Sequence, residues 1–121
     1  MGLPKENDSI AALQKAVRDF RDARDWRQFH SPKNLSMSVA IEAAELMEHF
    51  QWLTTTEAAA LPNQNPQMKQ AILEELADVL IYCLSLADIL ECEVATIVLD
   101  KLAKNDKKYP VRADLTGNLP Y

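Results

Sequence analysis

Glycine is nearly absent from this chain. Its 121 residues hold two, Gly2 and Gly117, at opposite ends. That excludes glycine-rich phosphate loops, because neither a GxGxxG nor a P-loop can be written. It also argues against a turn-rich β architecture. Cysteine is equally scarce: Cys83 and Cys92 are too few for a disulfide framework and lack a metal-binding spacing. Both lie in apolar helical sequence, where buried, reduced thiols are expected. There is no excess of positive charge. A net charge of −5 argues against binding a nucleic acid polymer, which needs a basic face. No apolar run reaches membrane-spanning length, the longest lying around VLIYCLSL, and MGLPKENDS offers no signal-type apolar core. The expectation is a cytoplasmic protein without membrane association.

With 48% hydrophobic and 26% charged residues, the chain has the composition of one folded domain, residues 1–121. Apolar residues recur at helical spacing in four stretches. The first helix is capped by Asp8 or Ser9, carries Ile10, Leu13, Val17 and Phe20, and runs to about Trp26. RQFHSPKN then breaks the pattern at Pro32, and a second helix runs from Asn34 or Leu35 to about Trp52. TTTEAAALPNQNPQ reads as a connection, with one helical turn at most in EAAA. A third helix starts near Pro66, suited to a first turn, and reaches Glu91. Its middle, ADVLIYCLSLADIL, is apolar nearly all round, as in a helix central to a bundle or covered by another subunit. A fourth helix, Glu93 to Lys107, would bury Val94, Ile97, Val98 and Leu102 before Tyr109-Pro110 stops it. The core spans about residues 9–112, and 113–121 form an irregular tail. The fold class is all-α, a four-helix bundle.

The chemistry concentrates on two of these helices. In SVAIEAAELMEHFQW, Glu42, Glu45 and His49 fall beside Leu35, Leu46 and Leu53, the side that should face a core. The third helix repeats the pattern. With Glu75 as origin, Asp78 and Tyr82 lie at about 300° and 340°, next to Met68, Val79 and Leu86. Packed antiparallel, the two helices would gather four carboxylates in one pocket. Four such groups repel unless a hard cation relieves them, and Mg2+ takes carboxylates together with waters and substrate phosphates. Surface ion pairing is the plainer role for one E-x-x-E pair; two matched pairs on apolar sides put a metal site on an equal footing with it. A di-iron bundle would need Glu-x-x-His, which occurs nowhere in the chain.

RDWRQFHSPKNL, IEAAELMEHFQW, EELADVLIYCLSLAD and KLAKNDKKYP, in this order, resemble the all-α nucleoside triphosphate pyrophosphohydrolases of the MazG-like group. The likeness is to the small dCTP pyrophosphatase branch and covers about Ile10 to Arg112. One departure is the 29 residues between Glu45 and Glu75, read as a longer connecting loop. The resemblance implies hydrolysis between the α- and β-phosphates, with Mg2+ as cofactor, Mn2+ as a substitute, and Glu42, Glu45, Glu75 and Asp78 as metal-binding and catalytic acids. The substrate it implies is a nucleoside triphosphate, dCTP or a related pyrimidine nucleotide. Lys33, Lys104, Asn105 and Lys108 flank the acids and could hold phosphates. Trp26, Phe29, His30 and Trp52 could surround a base, Tyr82 could touch base or sugar, and His49 could support Glu45. A helix apolar all round should meet another subunit, so a homodimer or homotetramer is expected. The competing class is a non-catalytic helical interaction module.

Overall fold

The computed structural model describes residues 9–111. The irregular tail expected at 113–121 lies outside them. Among the described residues the fold is all-α with no strand, but it has five helices rather than four: α1 (Ile10–Ala23), α2 (Pro32–Glu48), α3 (Thr55–Gln64), α4 (Pro66–Ile89) and α5 (Val94–Lys108).

The extra helix, α3, occupies what reads as a loop. Its start is a capping box: Thr54 accepts from the Glu57 amide, and the Glu57 carboxylate accepts from the Thr54 amide. This satisfies two amide groups that a helix start leaves open. Pro62 sits inside α3, near its end. The long spacing between Glu45 and Glu75 is therefore taken up by a helix packed on α4.

Other boundaries move for local reasons. Ser9 caps α1 by accepting from the Ala12 amide. That helix ends at Ala23, not Trp26, because Asp25 takes a left-handed conformation (φ 55°) and Trp26 opens a short 3-10 turn over Arg27–Phe29. Pro32 starts α2 instead of interrupting it, behind Ser31, whose hydroxyl accepts from the Asn34 amide. A proline in the first turn loses no helical hydrogen bond. The same holds for Pro66 at the start of α4, with Asn65 as cap.

The main packing is α2 on α4, with α1 and α3 also against α4 and α5 against α1. Leu35 and Ala87 are the buried apolar side chains among the described residues. Gln14, Arg21 and Ser85 are buried polar ones. The expected buried side of the last helix is not covered: Ile97, Val98 and Leu102 stand 48%, 47% and 56% exposed, because α5 meets mainly α1. Cys83 is exposed and Cys92 half-buried, both as free thiols, since none of the described residues covers the outer side of α4 at Cys83. No described helix is long and apolar enough to cross a membrane.

Candidate active site

Packing of α2 on α4 brings the acids together. Glu42 from α2 and Glu75 and Asp78 from α4 each offer an oxygen within 4.8 Å of the others. Glu42 and Glu75 are half-buried and Asp78 is exposed. The spacing of three between Glu75 and Asp78 sets both on one side of α4, one turn apart. Glu45, a turn beyond Glu42, is not in the converging trio but acts on both Glu42 and Glu75.

The electrostatics are those of a site short of positive charge. Partial burial pushes the Glu42 carboxyl up to about 7, helped by the adjacent Glu45 and by the charge of Asp78. Glu75 is also raised, first by burial and then by Glu45. Oε2 of Glu42 and Oε2 of Glu75 are buried without a hydrogen-bond partner. A buried carboxylate oxygen with no donor is costly, and a cation at the convergence point would supply what both lack. Three or four carboxylates suit a hard oxygen-seeking ion such as Mg2+ or Mn2+.

Beside the acids lies a cavity of about 240 Å³. Val17, Phe20 and Arg21 of α1 form one wall, Ile81, Tyr82 and Ser85 of α4 the other, and Trp26 and His30 come from the segment before α2. Asp78 lines it too, so one carboxylate belongs to both the acid cluster and the cavity. Trp26 stacks edge-on against Phe20, with ring centroids 5.7 Å apart. His30 is held neutral at physiological pH: burial lowers its pKa, and the Arg21 charge lowers it further. Its Nδ1 is buried and has no partner.

Of the residues singled out in the sequence, Trp26, His30, Tyr82 and Asp78 therefore line one cavity, with Glu42 and Glu75 converging on Asp78 beside it and Glu45 outside that trio. Others do not. Lys33 is exposed in the first turn of α2. Trp52 is 86% exposed in the turn after α2 and outside the cavity lining. Phe29 is 62% exposed and also outside it. Lys104, Asn105 and Lys108 lie on α5, whose main packing is on α1; the Lys108 ammonium sits 5.3 Å from the Tyr109 ring centre. His49 caps α2 through its backbone. Val17, Phe20, Arg21, Ile81 and Ser85 line the cavity without having been recognised in the sequence. The helical spacing of Val17, Phe20 and Arg21 was visible, but nothing local shows which partner that face meets.

A model of the MazG-like family matches residues 37–116, which contain all four acids. The chain belongs to the MazG-like family. It is 41% identical over 105 residues to a protein named dCTP pyrophosphatase 1 from Mus musculus, and 37% identical over 113 residues to the Homo sapiens protein of that name. These matches cover 85% and 93% of the chain but 60% and 66% of the relatives, so the MazG-like chain spans under two thirds of their length. The crystal structure of a pyrophosphatase from Archaeoglobus fulgidus superposes with a TM-score of 0.76 at 38% identity, covering 91% of this chain and all of that one.

Proposed function

We propose that this MazG-like chain is a metal-dependent nucleoside triphosphate pyrophosphohydrolase, releasing a nucleoside monophosphate and pyrophosphate, with dCTP or a related pyrimidine deoxynucleotide as substrate. The observation carrying this reading is the junction at Asp78. An acid cluster able to hold a divalent ion opens directly onto an aromatic cavity, so a base in the cavity sets its phosphates beside the acids. Similarity to the mouse and human dCTP pyrophosphatase 1 supports the same substrate.

Glu42, Glu75 and Asp78 would hold Mg2+, with Glu45 as a fourth acid against them. When bound, the ion neutralises the triphosphate and favours attack at the α-phosphorus. One of the four carboxylates orients or deprotonates the attacking water. Trp26 supplies a ring face to the base, and Tyr82 and the neutral His30 supply polar atoms at its edge. A 240 Å³ cavity is small for a ligand site, which typically spans about 300–1,000 Å³, and suits a base better than a whole nucleotide.

Lys33, Trp52, Lys104, Asn105 and Lys108, which lie outside the cavity lining, would contact the phosphates and base of a substrate held by a neighbouring subunit. The exposed apolar side chains of α4 and α5, with Leu80 at 53% and Leu99 at 64%, support a homodimer or homotetramer. Sedimentation should give a species of at least twice the chain mass at micromolar concentration.

The test is a screen of nucleoside triphosphates with Mg2+, reading pyrophosphate against orthophosphate. Pyrophosphate from dCTP, abolished by Asp78→Ala or Glu45→Ala in a folded protein, is expected. Full activity in both variants would rule out the acid cluster as the metal site, and no pyrophosphate from any nucleotide would favour a helical interaction module.

A further inference from the structure

The cavity is bounded by two helices whose apolar side chains do not seal the contact between them. Of the apolar side chains that line it, Phe20 of α1 is 50% exposed and Ile81 of α4 is 43% exposed. What ties α1 to the end of α4 is polar. Arg18 Nε donates to Asp88 Oδ1 at 2.6 Å, and Arg21 Nη1 donates to Asp88 Oδ2 at 2.7 Å, so one carboxylate is gripped at both oxygens. Arg21 also donates through Nε to Asp22 Oδ1 at 2.9 Å and is 1% exposed. One face of α1 carries a second tie: Gln14 donates to the Cys92 carbonyl and accepts from the Val94 amide, both at 3.2 Å.

We infer that Asp88 is a positioning residue for the base cavity: by clamping Arg18 and Arg21 it sets the spacing of the α1 wall from the α4 wall, and so nucleotide affinity and base discrimination. The inference rests on the cavity being the base site. Two features make Arg21 the point of transmission. It lines the cavity itself, and its carbonyl accepts the amide of Trp26 at 3.1 Å. The clamp therefore holds the turn that presents the Trp26 ring as well as the helix bearing Phe20. Asp88 lies outside the cavity lining and the acid cluster, so it acts through Arg21 and not on substrate. Charge-assisted bonds gripping both oxygens fix direction as well as distance, which suits a wall that apolar packing leaves loose.

Asp88→Asn, in the full chain with Mg2+, should raise KM for dCTP about tenfold, the scale of one charge-assisted hydrogen bond, and hold kcat within about twofold. The kcat/KM preference for dCTP over dTTP should narrow. Arg18→Ala, which leaves the Arg21 pair in place, should move both quantities the same way by about twofold. In a Trp52→Phe background, acrylamide should quench Trp26 emission more strongly when Asp88 is changed, a readout independent of turnover. A purely structural Asp88 would instead lower kcat with the folded fraction and leave KM and base preference untouched; that result overturns the inference. So does unchanged Trp26 quenching in folded Asp88→Asn. If Asp88→Asn does not fold, unchanged KM and preference in Arg18→Ala overturn it equally. A wild-type chain that releases no pyrophosphate would defeat the proposed activity, while the Trp26 measurement would still report whether Asp88 holds the wall.

Discussion

Helix α4 carries two acidic centres that solve opposite problems. At Asp78 and Glu75, like charges from α2 and α4 converge, and two buried oxygens have no donor. Ten residues after Asp78, Asp88 is more enclosed, its side chain 11% exposed, yet each of its oxygens receives a guanidinium N–H. The consequences for proton affinity diverge. Burial raises the Glu42 carboxyl, and its acidic neighbours raise it further, to about 7. Burial would raise Asp88 too, but the hydrogen bonds and charges of Arg18 and Arg21 outweigh it and hold that carboxyl below its usual range. A carboxylate cluster without donors favours binding of a cation, whereas one compensated within the chain holds helices together.

The largest expected effect lies at the uncompensated centre. Asp78→Ala should cost about a thousandfold in kcat/KM for dCTP, several kcal/mol of transition-state stabilisation, measured by pyrophosphate release. Its metal-free unfolding midpoint should be unchanged or higher, because a repelling charge is gone. At the compensated centre the order reverses. Asp88→Ala leaves the buried Arg21 guanidinium with only the half-exposed Asp22 as partner, and should lower unfolding free energy by about 3 kcal/mol in denaturant titration.

Dependence on pH separates the centres further. Glu42 has a folded pKa raised from 4.5 to about 7, so the folded state binds more protons than the unfolded one across that interval. Its contribution to metal-free stability is full below pH 4.5 and lost as pH rises through 7. Mg2+ should restore that loss above pH 7 and bind more weakly below it, as calorimetry across pH would show. Asp88, with its depressed pKa, contributes stability above its ordinary value of 3.8 that disappears on strong acidification. The smallest effect is reserved for Arg18→Ala. Its side chain is 43% exposed, and its loss should cost about 1 kcal/mol, well under Asp88→Ala. Equal losses would mean that Arg21 is not the buried anchor.

Much of the acidic centre was legible because helical periodicity is local. The spacing of three in Glu42/Glu45 and in Glu75/Asp78, on the apolar side of each helix, needs no knowledge of what the helices touch. Trp26, His30 and Tyr82 were legible only as aromatic or polar residues near the acids. Helix α3 was missed although its signal was present, since Thr54 and Glu57 have capping-box spacing; Pro62 and Pro66 drew the reading towards a loop. Pro32 misled in the same way, a helix start taken for a break.

By itself the sequence determined an all-α fold and the acidic faces of α2 and α4, since both follow from the turn of a helix over a few residues. Tertiary structure decided that Arg18 and Arg21 would meet Asp88, seventy and sixty-seven residues away, and that α1 and α4 would leave a cavity beside Asp78. An arginine on a helix carries no local mark of being buried. Its burial becomes tolerable only when packing delivers a carboxylate from elsewhere in the chain.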